Sequence, residues 1–270
     1  VVWRHGAPGA GVIGGRGELH FSRERRGAGV TQNPARVCQA VRSRSGEVGM
    51  VNACDVTLGG GEEEQRVLER ETPGAHVEVV SNIHEVHERR HGIDGRSGLL
   101  FVGGCGHPPN SDAVRWFIAN VLPILRKKDS GMTFHVVGDI DDEARRAISG
   151  DGVIVHGRVP NLLPLLEASR VSVAPLRFGA GVKGKVNQAM SHGLPVVLTS
   201  IAAEGMHLTD GVDALIADGP AAMADAIMRL YHEEDLWMTL SDAGLENIRQ
   251  HFSIEQAAAA LACAVDNRTA

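Results

Sequence analysis

The sequence predicts an α/β fold, in which a parallel β-sheet is wound by helices into three layers. From residue 53 onward, short β-branched runs alternate with amphipathic helical segments, which is the pattern of strands joined by helical crossovers. The 270 residues are enough to bury a large core, and 43% hydrophobic with 22% charged residues is typical of globular proteins. Wholesale disorder is therefore excluded.

The composition also excludes several classes of protein. The net charge of −6 argues against a nucleic-acid-binding protein, which needs cationic groups for the phosphates. Cys38, Cys54, Cys105 and Cys263 form no C-x-x-C pair, so we expect neither a disulfide framework nor a zinc site, and a reducing cytoplasm fits best. The longest nearly apolar segment, 257–265, is far shorter than the roughly 20 residues of a membrane-spanning helix.

Residues 1–50 differ from the rest of the chain. They hold eight arginines, three glutamates and no lysine, and they show no sustained apolar period of either 2 or 3.6. We therefore expect residues 1–50 to be disordered, or to be a start that is not native to the protein. The glycine-rich segment 11–17 superficially resembles a phosphate loop, but no predicted strand precedes it and we assign it no function.

The strands are predicted from short apolar, β-branched runs bounded by turn residues. We expect those that follow residue 98 to form one sheet, and the polar segment 89–97 to be the linker that leads to it. The predicted strands are 55–58, 77–80, 99–102, 133–137, 153–156, 172–174, 196–199 and 214–216.

Helices are predicted where apolar residues recur on one face. One such stripe is formed by Val114, Phe117, Ile118, Val121, Leu122 and Leu125. Asn110 or Ser111 is expected to cap this helix, and Pro123 to kink it near its end. A later helix is predicted to begin at Pro220, because proline suits a first helical position, where no N–H is needed.

Asp139 and Asp141 form a D-x-D pair after the predicted strand 133–137. Such a pair can hold a divalent metal under a diphosphate, but acids at the start of a helix also cap its amides and complement its dipole. We favour the second interpretation. None of the thirteen histidines has a metal-ligand spacing such as H-E-x-x-H, so no metal and no other cofactor is predicted.

The most informative segment is the glycine-rich run LRFGAGVKGKV at 176–186. It follows a predicted strand, holds three glycines in six residues and leads into a helical stretch. Backbone amides and a helix N-terminus can therefore converge on one anion. Lys183 and Lys185 are two of only four lysines in the chain, and this concentration predicts a phosphate site.

The same run also matches the beginning of a nucleotide triphosphatase loop, since Gly179 is followed after four residues by Gly184 and Lys185. Val186 breaks the match, because such a loop needs a Ser or Thr there to hold magnesium. The triphosphatase interpretation is therefore disfavoured. A glycine-rich turn with solvated lysines stays open as the purely structural alternative.

With several other motifs, this run resembles a known family. The motifs are LLFVGG at 99–104, HPPN at 107–110, GRV at 157–159, APLRFGAGVKGK at 174–185, AM at 189–190, GLPVV at 193–197 and AEG at 203–205. Over about residues 53–265 the chain resembles the donor-binding half of group 1 retaining glycosyltransferases with the GT-B fold. The resemblance implies two facing Rossmann-like domains, with a nucleotide-diphosphate sugar held mainly by the C-terminal one.

The resemblance also implies roles for individual residues. Lys183 or Lys185 would be the catalytic group that neutralises the leaving phosphates, and Val159 would contact the base through its backbone. Asn82 resembles the asparagine of the hinge between the two domains. The donor-binding residues that the resemblance implies are Gly103, Gly104, His107, Gly157, Val159, Gly179, Gly181 and Gln188.

Two departures from the family pattern concern this site. Gln188 stands where members commonly have a glutamate that bonds the ribose, although an amide can still bond a hydroxyl pair. The common Arg and Lys after the first strand are replaced by the run GCGHPP at 104–109. We expect the lysines of the later loop to take over that work, with His107 a weaker candidate.

The resemblance divides the chain into three segments. Residues 1–50 are unassigned, 51–97 resemble the end of an N-terminal domain plus the hinge, and 98–265 form the nucleotide-sugar-binding Rossmann-like domain. Most of the acceptor domain is then missing, so we expect the chain to be a donor-binding half that is inactive alone unless a separate subunit supplies the rest. The family implies hexose transfer with retention to a carbohydrate or lipid-linked acceptor in polysaccharide biosynthesis, by a cytoplasmic protein whose peripheral membrane contact stays open.

Two functions of other classes stay open. One is a non-catalytic module that binds a sugar nucleotide or a partner, which the missing half and Gln188 favour. The other is an oxidoreductase on a similar sheet. Against it, FVGGCG at 101–106 is not G-x-G-x-x-G, and Asn120 and Val121, about 20 residues on, are not the acid that would hold a ribose.

Overall fold

The computed structural model describes residues 2–4, 12–15, 19–31, 34–87 and 89–266. Within these ranges, strands alternate with helices. The strands are β1 (Val2–Arg4), β2 (Val12–Gly15), β3 (Val56–Gly59), β4 (Val77–Val79), β5 (Leu99–Val102), β6 (Phe134–Val137), β7 (Val153–Gly157), β8 (Val171–Ala174), β9 (Val196–Leu198) and β10 (Leu215–Ile216). The helices are α1 (His20–Thr31), α2 (Pro34–Val51), α3 (Glu62–Glu71), α4 (Pro108–Asn120), α5 (Leu122–Lys128), α6 (Asp142–Ile148), α7 (Leu163–Ala168), α8 (Gly184–Ser191), α9 (Ser200–Ala203), α10 (Pro220–His232), α11 (Glu234–His251) and α12 (Ile254–Asp266).

The larger sheet has six parallel strands in the order β10-β9-β8-β5-β6-β7. In its register, Leu99 of β5 pairs with Phe134 of β6 on one side and with Val171 of β8 on the other. All of β8 and most of β5 are buried, as expected of parallel strands covered on both faces, and this explains why these strands are apolar at every position except Ser172. The prediction of one sheet after residue 98 is confirmed.

The predicted kink at Pro123 is a break between two helices. α4 ends at Asn120 and α5 begins at Leu122, so Pro123 lies in the first turn of α5, where its missing N–H costs no hydrogen bond. The predicted cap at Asn110 or Ser111 is wrong, because α4 already begins at Pro108 and His107 occupies the N-cap position. The expectation that Pro220 begins a helix is confirmed by α10.

The C-terminal helices are tied to the larger sheet by buried polar groups. The Tyr231 hydroxyl of α10 accepts a hydrogen bond from the Gly98 amide at 2.9 Å. The Trp237 indole of α11 donates to the Arg170 carbonyl at 2.7 Å. None of the helices in the described ranges is long and apolar enough to span a membrane.

The smaller sheet has the order β1-β2-β3-β4, antiparallel between β1 and β2 and parallel elsewhere. Residues 1–50, for which the sequence predicted no regular structure, thus contain β1, β2, α1 and most of α2. The cause is tertiary: Glu64 accepts from the Leu19 amide at 2.9 Å, and Glu47 accepts from the His20 amide at 3.1 Å. Residues 12–15 of the glycine-rich segment form β2, and 11, 16 and 17 lie outside the described residues.

The segment between β4 and β5 packs against the unit built on the larger sheet. The His87 amide donates to the Ser191 carbonyl at 2.8 Å, and the His87 ring stacks on His192 with centroids 4.2 Å apart. Further along, Arg89 donates to the Ser241 hydroxyl of α11 at 3.0 Å. Arg89, the first residue of the predicted linker, is therefore hydrogen-bonded to this unit.

Candidate functional site

The order of the larger sheet reverses at β5. After β5 the chain adds β6 and β7 on one side, and then returns to add β8, β9 and β10 on the other. The loops that leave the carboxyl ends of β5 and β8, residues 103–107 and 175–183, therefore run apart. We call the space between them the switch crevice. Open α/β sheets bind their ligands at such a point.

Glycines allow the loops after β5 and β6 to touch backbone to backbone. The Gly103 amide donates to the Val137 carbonyl at 2.7 Å, and the Cys105 amide donates to the Asp139 carbonyl at 2.9 Å. Gly138 has a φ of +150°, and a Cβ there would lie 2.5 Å from the Gly103 carbonyl carbon. A side chain at position 138 is therefore incompatible with this approach.

Asn110 fills the space beside Gly103. Its side chain is buried at 6% exposure, and its Nδ2 donates to the Gly104 carbonyl at 3.1 Å. A Cβ on Gly103 would lie 2.8 Å from that Nδ2. From sequence, Asn110 was expected to cap a helix. Its neighbours in space depend on the reversal of strand order at β5, which no local spacing indicates.

Lys185 reaches across the switch crevice. It lies in the first turn of α8, and its Nζ donates to the Asn110 Oδ1. The same Nζ lies 5.2 Å from the centroid of the Phe101 ring on β5, a separation at which an ammonium is attracted to an aromatic face. The loop after β8 thus delivers a cation to the loop after β5.

Lys183 takes a different course. It is only 6% exposed, and its Nζ donates to the carbonyl of Gly181 in its own loop. Gly181 has a φ of +69°, which lets the loop turn back there without steric cost. A Cβ on Gly179 would lie 3.7 Å from the Lys183 Cε, so Gly179 leaves room for the lysine stem. The two lysines are therefore not equivalent.

The N-terminus of α8 follows this loop directly. Lys183 is at the N-cap position, and the first helical residue is Gly184. The unpaired amides of a first helical turn carry partial positive charge and favour an anion. Gln188 is half-buried one turn into the helix, and its backbone carbonyl accepts from the Ser191 hydroxyl at 3.0 Å.

His107 lies at the end of the loop after β5. Its Nε2 is 3.2 Å from the guanidinium of Arg23 in α1. Desolvation is the largest cause that lowers the pKa of His107, the positive charges of Arg23 and Lys185 lower it further, and a hydrogen bond that the ring donates to the Asn110 side chain opposes them. These causes together favour the neutral form of the ring, which offers an anion a hydrogen bond and no charge.

The loop after β7 approaches the switch crevice from the β6 side. The Gly138 amide donates to the Gly157 carbonyl at 3.0 Å. Gly157 has a φ of +73°, and a Cβ there would lie 2.9 Å from the Arg145 guanidinium. Val159 is partly buried and packs against the main core, which holds this loop in place.

The acidic pair after β6 has a structural role. Asp141 is the N-cap of α6, and its Oδ1 accepts from the Ala144 amide at 2.7 Å. The capping interpretation of the D-x-D pair is confirmed for this residue. Over the ranges that the structure describes, no group of three or more His, Cys, Asp or Glu side chains could hold a metal ion.

Residues that precede β5 border the loop after β8. Arg26 of α1 donates to the Gly179 carbonyl at 3.2 Å and forms an ion pair with Glu204. Asn82, the predicted hinge residue, lies with its Nδ2 at 3.5 Å from the Val182 carbonyl. The outer side of the glycine-rich loop is therefore in contact with residues from before β5.

The part of the chain that forms the larger sheet matches a model of a known family. The model of the family described as "Glycosyl transferases group 1" matches residues 96–233, which span β5 to α10. This chain belongs to the group 1 glycosyltransferases. A Klebsiella pneumoniae protein described as an uncharacterized 44.6 kDa protein in the cps region is 29% identical over 143 residues. Those residues are 48% of this chain and 36% of that protein.

Solved structures share the fold of this group 1 family member. A Staphylococcus aureus TarM mutant, in complex with fondaparinux, alpha-GlcNAc-glycerol and UDP, superimposes with a TM-score of 0.72 at 17% identity, over 83% of this chain and 46% of that one. Sucrose-phosphate synthase from Thermosynechococcus elongatus superimposes with a TM-score of 0.72 at 17% identity, and the match covers 95% of this chain and 67% of the synthase chain. Anabaena Alr3699/HepE, in complex with UDP and glucose, superimposes with a TM-score of 0.69 at 12% identity, and the match covers 84% of this chain and 67% of that one.

These matches confirm the predicted fold class, a Rossmann-like α/β fold of the GT-B glycosyltransferases, and the chain covers the C-terminal-like half. It spans about half or less of the length of the TarM and cps-region relatives. Within this family member, Gly103, Gly104 and Lys185 meet around Asn110, which the sequence analysis had not assigned to the site. The ligand-binding roles of the predicted residues stay predictions.

Proposed function

We propose that this chain is the donor-binding half of a retaining glycosyltransferase that moves a hexose from a nucleotide-diphosphate sugar to an acceptor. The observation that carries the proposal is the placement of the Lys185 ammonium in the switch crevice, beside the close-packed backbone of Gly103 and Gly104. A diphosphate needs cationic groups and accessible backbone amides at short range. The Lys185 ammonium and the backbone amides at the start of α8 would supply these groups beside the loop after β5.

The proposed chemistry concentrates on the leaving group. As the bond from the sugar to the diphosphate breaks, negative charge grows on the phosphate oxygens, and a preplaced ammonium stabilises that charge. Lys185, the amides at the start of α8 and the glycine backbone after β5 would do this work. For retention, the donor phosphate would itself take the acceptor's proton on the face where the leaving group departs.

The remaining parts of the donor are assigned to neighbouring loops. Gly157 and the backbone of Val159 would border the base, on the β6–β7 side of the switch crevice. Gln188, one turn into α8, would bond the ribose hydroxyls through its amide. Gly179 and Gly181 would give the loop the turns that bring Lys185 into place, and His107 would offer a neutral hydrogen bond.

Three relatives support the choice of donor and acceptor. The TarM and HepE structures are described as complexes with UDP, which makes UDP the first nucleotide to test. The Klebsiella relative lies in a cps region, which favours a polysaccharide or its lipid-linked precursor as acceptor. We assign donor binding to residues 98–265 and the end of the N-terminal domain plus the hinge to 51–97, place the protein in the cytoplasm, and invoke no metal.

A non-catalytic donor-binding module is the second candidate. Gln188 favours it, because an amide has no charge to strengthen a bond to the ribose. The module would bind a nucleotide sugar without transferring it, even when the N-terminal domain of a full-length relative is added in trans. Sugar transfer in that mixture, followed by mass spectrometry of the acceptor, would reject this candidate.

The donor site is tested by thermal unfolding with UDP, GDP, ADP and dTDP, each beside its monophosphate. We expect one nucleoside diphosphate to stabilise the chain and its monophosphate to do so much less, because the second phosphate is what Lys185 contacts. A ligand at 100 times its dissociation constant adds about 2.7 kcal/mol, or roughly 5 to 10 °C for a domain of this size. Equal shifts with monophosphate and diphosphate would contradict the proposed phosphate site.

A further inference from the structure

We propose that Asn110 is a positioning residue, which holds the Lys185 ammonium in the switch crevice so that it meets the donor's diphosphate. The inference rests on the proposed function and deepens it. It adds a residue that is neither basic nor part of the glycine-rich loop. Asn110 would act through Lys185 and would not itself contact the reacting atoms.

The two halves of the Asn110 amide have different partners. The oxygen accepts from the Lys185 Nζ, and the nitrogen donates to the Gly104 carbonyl at 3.1 Å. An ammonium can only donate and a carbonyl can only accept, so a single orientation of the amide satisfies both contacts. The side chain therefore links the loop after β5 to the cation supplied by α8.

The surroundings restrict the amide to this position. Asn110 is 6% exposed, and a Cβ on Gly103 would come within 2.8 Å of its Nδ2, so the absence of a side chain at 103 is what makes room. On the other side, the Phe101 ring lies 5.2 Å from the Lys185 Nζ. The ammonium is thus held between an amide oxygen and an aromatic face.

A neutral partner suits a cation that must bind an anion. A carboxylate at position 110 would offset the ammonium charge of Lys185. Asp112 does this for Arg177 in the loop after β8, because its carboxylate accepts a hydrogen bond from the Arg177 Nε at 2.8 Å. An amide fixes the direction of the ammonium and adds no negative charge of its own. This is the physical reason to expect asparagine rather than aspartate here.

A double-mutant cycle tests the inference, with UDP as the titrated ligand. Asn110→Ala is expected to weaken UDP binding about tenfold in the wild-type background, or about 1.4 kcal/mol. In the Lys185→Ala background the same change should cost less than about twofold, because its target is gone. Equal losses in both backgrounds would overturn the positioning role. Asn120→Ala, at the other end of α4, is the matched control and should leave UDP binding unchanged.

The isosteric Asn110→Asp variant separates positioning from packing. It keeps the volume of the side chain but pairs the ammonium with a carboxylate, so we expect weaker UDP binding than in wild type and a shallower dependence on salt. Unfolding temperatures of all variants show whether the fold persists. If Asn110→Asp binds UDP as wild type does, the argument for a neutral partner is wrong.

Lysine labelling with acetic anhydride gives a readout that needs no nucleotide. Only four lysines are present, so Lys127 and Lys128 serve as internal references for Lys185. Asn110→Ala should raise the labelling rate of Lys185 severalfold and leave those of Lys127 and Lys128 unchanged. An unchanged Lys185 rate would overturn the inference. Conversely, a raised rate in a chain that binds no UDP would reject the proposed function and keep the Asn110–Lys185 contact.

Discussion

Replacing Lys183 and Lys185 together by alanine is expected to weaken UDP binding by at least about 100-fold. A hydrogen bond to a charged group contributes about 1.5 to 3 kcal/mol, and every 1.4 kcal/mol changes a dissociation constant about tenfold. Lys185 should account for the larger part, because it lies in the switch crevice, while Lys183 is bonded to its own loop at Gly181. Isothermal titration of the single and double variants measures both contributions.

The control for this experiment is the double change Lys127→Ala and Lys128→Ala, at the end of α5. Like the test variant it removes two positive charges, but its residues lie outside the loops of the switch crevice. Lys183 is buried, so Lys183→Ala is also expected to lower the free energy of unfolding by about 1 kcal/mol, unlike a change at an exposed lysine. Unchanged UDP affinity in the Lys183/Lys185 variant would reject the phosphate site.

Gly138→Ala is expected to be strongly destabilising and to disrupt the site. The new methyl would lie 2.5 Å from the Gly103 carbonyl carbon and 2.6 Å from the Gly104 nitrogen, and φ is +150°. Left-handed backbone costs about 1 to 2 kcal/mol and forced overpacking about 1 to 3 kcal/mol, so we expect a loss of about 2 to 5 kcal/mol. Because the loop after β5 must move to accept the methyl, UDP binding should weaken as well.

Gly106→Ala is the matched control for this prediction. Gly106 belongs to the same loop, and no atom lies within 4 Å of the place where its Cβ would be. Its free energy of unfolding, measured with urea, should stay within about 0.5 kcal/mol of wild type. If Gly138→Ala is as stable as Gly106→Ala, the backbone approach between the β5 and β6 loops does not constrain the site as described.

The larger sheet could be predicted from sequence because each of its strands is marked by a short apolar run of consecutive residues. Parallel strands covered on both faces are predominantly apolar, and Leu99–Val102 and Val171–Ala174 show this within a few residues of chain, with Ser172 as their one polar residue. The stripe that includes Val114 and Phe117 likewise places α4 on the sheet. Residues 1–50 lack such a signal, and α1 is held instead by carboxylates of Glu47 and Glu64.

The site could be predicted only in part. The glycine-rich loop after β8 has a motif, so Lys183 and Lys185 were found, but no spacing indicates that one is buried in its loop and the other crosses to α4. That difference depends on the reversal of strand order at β5, which brings residues 110 and 185 together. Asn110 has an ordinary place in the first turn of a helix, and only its spatial neighbours reveal a further role.

Amide hydrogen exchange with and without saturating UDP locates the bound diphosphate on the chain. We expect slower exchange in peptides that cover residues 102–112 and 176–190, with smaller changes near residues 157–161. Peptides from α12 should exchange equally in both states. Protection confined to segments outside the loops after β5, β7 and β8, or no protection at saturation, would contradict the placement of the donor in the switch crevice.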